Sequence, residues 1–351
     1  MCYNIFEFGG TKMAKTIYDI SKELNVAPST VSKALNGRSG ISDNTRKKIL
    51  DYANKVRYYA NSNASKLKTK KSFSIGVVYS EDLDIGLEHN FFSSVLQSFK
   101  TYVESQGYEI TFVISNLGNR KISYHDFCRQ KNIDGVFIVT SLYEDPHLQE
   151  LVESGIACVS TDIYYNNLFT VISDNMDGAR QAVEYFYQTG HTKIGHITES
   201  HFSPAAAERY QGFVDTMNAL NLPVEEKNII ATDYYSFDEG YKAGKKFLEL
   251  EDYPTAVFVA ADIIAMGFIK ALKDGGRKVP EDVSVIGFDD LEFAALFEPS
   301  LSTIRQDTKL LGKKAALKLL ELMDKKIEKR QVVEKIPVEL VVRDSVKRPK
   351  Q

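Results

Sequence analysis

Cysteine is scarce in this sequence, and long apolar runs are missing from it. Among the 351 residues there are three cysteines, Cys2, Cys128 and Cys158. Their odd number and wide spacing argue against a disulfide framework or a metal cluster and fit a reducing cytoplasm. No stretch approaches the roughly 20 apolar residues of a membrane-spanning helix, and the N-terminus shows no apolar core of a secretory signal. We therefore expect a cytoplasmic protein that contacts no membrane.

Motifs of catalysis are missing as well. The sequence contains no glycine-rich phosphate loop, no nucleophile elbow and no paired metal motif. His89, His125, His196 and His201 lack the spacing of metal ligands, and we interpret them as satisfied core or surface histidines. We therefore expect no catalytic residues, no metal and no cofactor, and an enzyme is the weakest of the functions considered.

Charge is distributed unevenly along the chain. The first 71 residues carry 14 Lys and Arg against 5 Asp and Glu, a charge of +9, whereas the remaining residues carry −12. A basic head on an acidic body suggests that the head meets a polyanion such as DNA. The charge alone is also compatible with a solvated basic surface that has no partner, so the local sequence pattern has to distinguish the two interpretations.

Three short helices are predicted in residues 14–60. Thr16 begins the first with a capping box, because Asp19 follows it by three residues. Pro28 suits the first position of the second helix, where its missing N–H would be unpaired in any case, and Ser42 can cap the third. Two helices joined by a short turn form a helix-turn-helix, whose second helix enters the major groove of DNA.

The second of these helices has an apolar side and a polar side. Val31, together with Ala34 or Leu35, is expected to pack inward against the other two helices. The opposite side then presents serine and lysine, which suit phosphates and base edges, and a proline that can make only apolar contacts. A purely structural three-helix bundle is the competing interpretation.

The same segment resembles the DNA-binding signature of the lactose-repressor (LacI/GalR) family. The match runs through Thr16-Ile17-Tyr18-Asp19-Ile20 and from Val26 to Asn36, and together with the body it extends to about Ser345. The resemblance implies a lambda-repressor-like helix-turn-helix domain over residues 14–60. The residues that it assigns to DNA contact are Thr16, Tyr18, Pro28, Ser29, Thr30, Ser32, Lys33 and Asn36.

Residues 61–71 resemble the hinge of that family. The resemblance implies a segment that becomes helical only when a dimer sits on DNA, with Leu67 wedged into the minor groove and Ala64 one turn before it. Asn61 and Lys68 are assigned to the same contact. A segment this short and polar is not stable as an isolated helix, and its composition alone would suit a plain linker.

From Phe73 onward, short apolar strands alternate with helical segments. Such alternation predicts an α/β fold with parallel sheets flanked by helices, and about 270 residues exceed what one sheet usually organises. We expect two lobes, as in the periplasmic-binding-protein-like (type I) body of the same family. The clearest predicted strands are Phe73–Tyr79, Ile110–Ile114, Gly135–Val139, Ala157–Ser160, Val171–Ser173, Ile194–Ile197, Ala256–Val259 and Val283–Phe288.

The predicted domains follow from these patterns. Residues 1–13 are expected to be a disordered arm or an extended start, and residues 346–351 a tail. Between hinge and tail, residues 72–345 form the effector-binding and dimerisation domain. Its N-lobe is expected to comprise about 72–172 plus 304–334, and its C-lobe about 173–303 plus 335–345.

Ligands of open α/β sheets bind beyond the carboxyl ends of the strands, where several family-like motifs fall. A carboxylate such as Asp289 accepts hydrogen bonds from two sugar hydroxyls, and a guanidinium such as Arg209 donates in a fork. Aromatic rings cover the C–H face of a sugar. Asp262 is interpreted as a helix cap. The candidate effector-binding residues are Phe91, Phe92, Asp162, Arg209, Asp289 and Gln306.

These features predict a homodimeric repressor of a carbohydrate-utilisation operon. It would bind a palindromic operator, and a small molecule, expected to be a sugar, would set its affinity. The alternative is a corepressor-dependent regulator that responds to a sugar phosphate or another non-sugar metabolite. Ala261 and Ile163 leave the effector open, because sugar-binding relatives often have asparagine and arginine there. A transport component shares the body's fold but not the basic head.

Overall fold

The computed structural model of the chain describes residues 15–35, 39–56, 58, 71–79, 87, 89–140, 145–161, 163–199, 203–233, 235–324 and 331–349. The chain forms two compact units that divide between Lys71 and Ser72. Several predicted positions lie outside the described residues: the arm over 1–13, and Asn36, Asn61, Ala64, Leu67, Lys68 and Asp162.

The described residues of the first unit form three helices, α1 (Ile17–Leu24), α2 (Pro28–Leu35) and α3 (Asp43–Lys55). The predicted capping box is confirmed, since the Thr16 side chain accepts from the backbone N–H of Asp19 and the Asp19 carboxylate accepts from that of Thr16. Ser42 caps α3 as predicted. The small core consists of Ile20, Val31, Ala34, Ile49 and Ala53.

The second unit alternates strands and helices as the sequence predicts. In chain order it contains β1 (Ser74–Tyr79), α4 (Asn90–Ser105), β2 (Glu109–Val113), β3 (Asn116–Leu117), β4 (Arg120–Lys121), α5 (Tyr124–Lys131), β5 (Gly135–Thr140), α6 (Pro146–Glu153), β6 (Ala157–Ser160), β7 (Phe169–Ser173), α7 (Asn175–Gln188), β8 (Ile194–Glu199), α8 (Pro204–Ala219), a 3₁₀ turn (Glu226–Asn228), β9 (Ile229–Thr232), α9 (Phe237–Leu248), β10 (Ala256–Val259), α10 (Asp262–Asp274), β11 (Ser284–Asp289), α11 (Glu292–Leu296), β12 (Ser302–Gln306), α12 (Thr308–Asp324), β13 (Val332–Ile336) and β14 (Val338–Val341).

Twelve of these fourteen strands form two six-stranded sheets, one in each lobe, and β3 and β4 pair with each other as a short antiparallel ribbon. The first has the order β13-β7-β6-β5-β1-β2 and is parallel throughout. The second has the order β14-β12-β11-β10-β8-β9, and β14 alone among these runs antiparallel to its neighbour. Separate hydrophobic clusters lie against the two sheets, so the prediction of an α/β unit with two lobes is confirmed.

The chain passes between the lobes later than predicted at two places. β12 stays in the second sheet through Gln306, because its backbone pairs with β11 and β14, whereas the predicted passage lay after residue 303. β13 likewise stays in the first sheet through Ile336 rather than residue 334. The predicted tail also begins too early, since the Lys347 carbonyl accepts hydrogen bonds from His191 Nε2 and Ser284 Oγ.

A close approach of α7 and α8 sets the position of Arg209. A Cβ placed on Gly212, three residues after this arginine, would lie 2.6 Å from the carbonyl oxygen of Met176 on α7. Glycine is therefore required for the two helices to pack at this distance. The result is that Arg209 reaches Asn175, the first residue of α7.

We expect Gly212→Ala to lower the free energy of unfolding by about 1–3 kcal/mol, because a methyl group against backbone forces the helices apart. Urea denaturation followed by circular dichroism measures this. Asn218→Ala, on the exposed side of the same helix, is the control and should be neutral. Equal stability of Gly212→Ala and the wild type would contradict the argument.

Candidate functional site

The first unit presents a polar surface on the outer side of α2. Burial of Val31 and Ala34 fixes the rotation of the helix, and Pro28, Ser29 and Lys33 are consequently exposed, whereas Thr30 and Ser32 are half-buried. On α1, Tyr18 is 70% exposed although it is a large aromatic residue. Thr16 lies next to it at the exposed start of the helix.

The second unit contains a cavity of about 250 Å³ between its lobes. The first lobe contributes the start of α4, and the second contributes the segment that follows β11, together with the passage from β12 to α12. Its lining residues are Asn90, Phe91, Ser94, Asp289, Asp290, Leu291, Glu292, Phe293, Gln306 and Thr308. The cavity thus brings Phe91, Asp289 and Gln306 together, as the sequence predicts for an effector site.

Asp289 is held at the end of β11 in a left-handed conformation with φ of 121°, a strained backbone geometry for a residue with a side chain. Gln306 Nε2 donates to its Oδ1 at 2.6 Å. Burial raises the pKa of Asp289 to about 6, and the positive charge of Arg209 opposes this rise. The carboxylate is therefore oriented and partly desolvated, and Arg209 lies near it.

Arg209 is 5% exposed and sits against the second sheet. Its Nε donates to Asn175 Oδ1 at 2.9 Å and its Nη1 to the carbonyl oxygen of Ala260 at 2.6 Å. The guanidinium carbon lies 3.7 Å from the centre of the Phe288 ring, a cation–π contact. These contacts fix the fork of the side chain beside Asp289.

The two phenylalanines at the start of α4 have different environments. Phe91 is half-buried, lines the cavity and contacts Phe92 edge-to-face at 5.2 Å. Phe92 is 8% exposed and belongs to the hydrophobic core of the first lobe. From this position Phe92 packs behind Phe91, and it is not placed to make the predicted contact with an effector.

Asp262 does not cap a helix, and that interpretation was wrong. It is the first residue of α10 and is fully buried. Its Oδ1 accepts from the hydroxyl of Thr303 at 2.6 Å and its Oδ2 from the backbone N–H of Leu291 at 2.9 Å. Burial, reinforced by the negative charge of Asp289, raises its pKa well above the usual range. Asp262 therefore links the segment that directly follows Asp289 to the neighbouring strand β12.

Sequence reasoning missed other polar groups near these residues. The interpretation of His89, His125, His196 and His201 as satisfied was wrong for two of them, because His89 Nδ1 and His196 Nε2 are buried without a hydrogen-bond partner among the described residues. The charge of Arg209 lowers the pKa of both, after the larger effect of burial. Burial raises the pKa of Tyr235, on which Arg209 and Asp289 also act. Nothing local in the sequence indicates these contacts.

The described residues contain no group of three or more His, Cys, Asp or Glu side chains arranged to hold a metal ion. None of their helices combines the length and the apolar character required to cross a membrane.

Two family models match the chain. Residues 16–61 match the model described as bacterial regulatory proteins, lacI family, and residues 183–346 match that of a periplasmic binding protein-like domain. The first match covers α1 to α3, and the second covers most of the second lobe together with α12 and β13.

Curated relatives match almost the whole chain. Over 338 residues it is 31% identical to the probable HTH-type transcriptional repressor ExuR of Bacillus subtilis strain 168, covering 95% of this chain and 98% of the relative. It is 30% identical over 345 residues to the HTH-type transcriptional repressor PurR of Mannheimia succiniciproducens, with 95% and 99% covered.

Solved structures with 25% sequence identity have the same fold. The lac repressor dimer bound to operator and the anti-inducer ONPF superimposes with a TM-score of 0.76, covering 95% of this chain and 99% of that one. The complex of the transcriptional regulator CelR with cellobiose gives 0.70, with 94% and 99% covered.

The buried carboxyl of Asp262 gives a pH-dependent prediction. Because its pKa is raised in the folded state, the fold loses stability as pH rises above the value of an unfolded aspartate, about 3.9. Asp262→Asn keeps an acceptor for Leu291 and a donor for Thr303, so it should raise the melting temperature at pH 7.5 and flatten its dependence on pH.

The matched variant Asp262→Ala keeps neither hydrogen bond and should lower the free energy of unfolding by about 1–3 kcal/mol. Thermal unfolding of both variants between pH 5 and pH 8 measures the difference. An Asn variant less stable than the wild type at every pH would show that the charged form is the one the fold requires.

Proposed function

The chain belongs to the LacI family of bacterial regulatory proteins, and from that premise we propose that it represses a carbohydrate-utilisation operon under the control of a sugar. One observation carries the proposal: the same chain has a helix-turn-helix with an exposed polar recognition helix and a two-lobed unit with a polar cleft. The proposed target, chromosomal DNA, implies a cytoplasmic location.

We assign operator contact to the exposed side of α2 and the start of α1. Pro28, Ser29 and Lys33 point away from the core, where they can reach base edges and phosphates. Tyr18 adds an aromatic ring that the core does not use. The +9 charge of the first 71 residues supports attraction to the DNA backbone.

An uncharged sugar suits the cleft better than a phosphorylated one. Asp289, Asp290 and Glu292 line the cavity, and no lysine, arginine or histidine is among its described lining residues. Asp290 is paired with Arg305 and Arg343, and Arg209 lies near Asp289 without lining the cavity, so the described lining presents carboxylates to an anion and no cation. Phe91 offers a ring to the C–H face of a sugar. The corepressor alternative with a sugar phosphate is therefore not favoured.

We further propose a homodimer on a palindromic operator. The solved relative bound to operator is a dimer, and two-fold symmetry of the protein is matched by symmetry of the site. On this chain, Phe293 is 55% and Leu296 is 76% exposed on α11. These two large apolar side chains lie three residues apart on the same short helix, and although Phe293 also borders the cavity, their exposure supports burial against a second copy.

Effector binding is then coupled to operator affinity through the position of the lobes. Phe91 comes from the first lobe and Asp289 from the second, so a sugar that contacts both stabilises one arrangement of the lobes. Such a coupling energy is typically about 1–3 kcal/mol. Operator affinity measured with and without the sugar decides whether it acts as inducer or corepressor.

Specific DNA recognition is tested with the full-length protein. Selection from a library of random duplexes should enrich a palindromic sequence. On that sequence Lys33→Ala should weaken binding and lower the slope of log affinity against log salt by about 1. Lys55→Ala, a lysine at the end of α3, is the control. Failure to enrich any sequence would refute the regulator proposal.

Effector recognition is tested by calorimetry with a panel of neutral sugars and their phosphates. A neutral sugar should bind, and Asp289→Asn should weaken its binding at least tenfold, because a carboxylate accepts from two hydroxyls where an amide offers one acceptor. Asp274→Asn, an exposed carboxylate paired with Lys270, should bind like the wild type. Undiminished binding by Asp289→Asn would remove Asp289 from the site.

A further inference from the structure

His89 has a buried ring nitrogen that no other described residue uses. Its Nδ1 makes no hydrogen bond there. The residue is at the N-cap position of α4, yet its side chain does not cap the helix. Its ring packs against Phe92, with centroids 4.8 Å apart. A buried polar atom is normally paired, so one left without a partner indicates that the partner comes from outside the chain.

The position of His89 indicates where that partner would be. The two residues that follow it, Asn90 and Phe91, line the cavity between the lobes together with Asp289 and Gln306. The positive charge of Arg209 acts on the His89 ring, although Arg209 belongs to the other lobe. His89 is not itself a lining residue; it directly precedes two lining residues at the start of α4, and the effect of a charge from the other lobe places its imidazole on the cleft side of the first lobe.

The protonation state of His89 limits the chemistry of the partner. Burial, with the charge of Arg209 added, lowers its pKa to about 4 against the opposing effect of a contact with its own backbone, so the ring is neutral at physiological pH. A neutral imidazole has one donor and one acceptor and brings no charge for an anion. A hydroxyl both donates and accepts, so it can pair with Nδ1 in either tautomer.

We propose that His89 is a specificity-determining residue of the effector site, and that its Nδ1 hydrogen bonds a hydroxyl of an uncharged sugar held between Phe91 and Asp289. This inference rests on the proposed function and adds to it a contact from the first lobe. It also gives the sugar a polar anchor in each lobe, His89 in the first and Asp289 in the second.

The first test uses ligand binding. Ribose, cellobiose and other neutral sugars, and ribose 5-phosphate as the anionic counterpart, are titrated calorimetrically into the full-length protein. His89→Leu should weaken the neutral sugar that binds by at least tenfold, and His89→Asn, which keeps a donor and an acceptor, should recover part of the loss. His125→Leu, whose ring pairs with Glu150 on the surface, is the matched control and should bind normally.

The second test needs no ligand. His89→Leu removes an unpaired nitrogen and keeps an apolar contact with Phe92, so the melting temperature of the unliganded protein should rise. A structural role for the imidazole would lower it instead. A higher melting temperature combined with weaker sugar binding is the signature of a residue retained for its ligand.

The outcomes separate this inference from the proposed function. Equal sugar affinity of the wild type and His89→Leu overturns the role of His89 and leaves the sugar-controlled repressor intact. Binding of the phosphorylated sugar alone overturns the uncharged class for both proposals. If the wild type binds no sugar of the panel, the proposed effector class fails. An unchanged or lowered melting temperature of His89→Leu then overturns the inference independently.

Discussion

The burial of one guanidinium organises the second lobe around its cleft. A cation removed from water must be hydrogen-bonded or paired, and Arg209 satisfies this through Asn175, the carbonyl of Ala260 and the ring of Phe288. These partners come from α7, from the end of β10 and from β11. These contacts fix three elements relative to α8, and they hold the guanidinium close to the carboxylate of Asp289.

A second polar cluster joins the two lobes beside this centre. Tyr164 of the first lobe donates from its hydroxyl to Glu208, the neighbour of Arg209 on α8. Lys335 lies on β13, a strand of the first sheet, and its Nζ is 3.3 Å from the carboxylate of Glu208. The amide nitrogen of Asn175 donates to the Glu208 carboxylate at 3.5 Å, and its amide oxygen accepts from Arg209. A ligand that moves Arg209 would thus act on contacts between the lobes, which is the coupling that an effector-controlled repressor needs.

Parts of this arrangement could be predicted from sequence because they depend on local patterns. The capping box at Thr16, the start of α2 at Pro28 and the cap of α3 at Ser42 each involve residues within one turn of each other. Most strands of the two sheets were found because buried parallel strands are short apolar runs. Asp289 and Gln306 were predicted as effector-binding residues because ligands bind beyond the ends of such strands, and both line the cavity.

The predictions that failed concern residues whose environment is set by contacts between segments that are distant in the chain. The burial of Phe92, the bonds of Asp262 to Leu291 and Thr303, and the unpaired nitrogen of His89 come from residues that are remote in the chain. The sequence by itself determined the helix-turn-helix, the α/β class and the strand ends that border the cavity, because the periods of apolar residues and the caps are local. Only the tertiary structure decided which side chains meet in the cleft, because burial and unpaired atoms arise from packing.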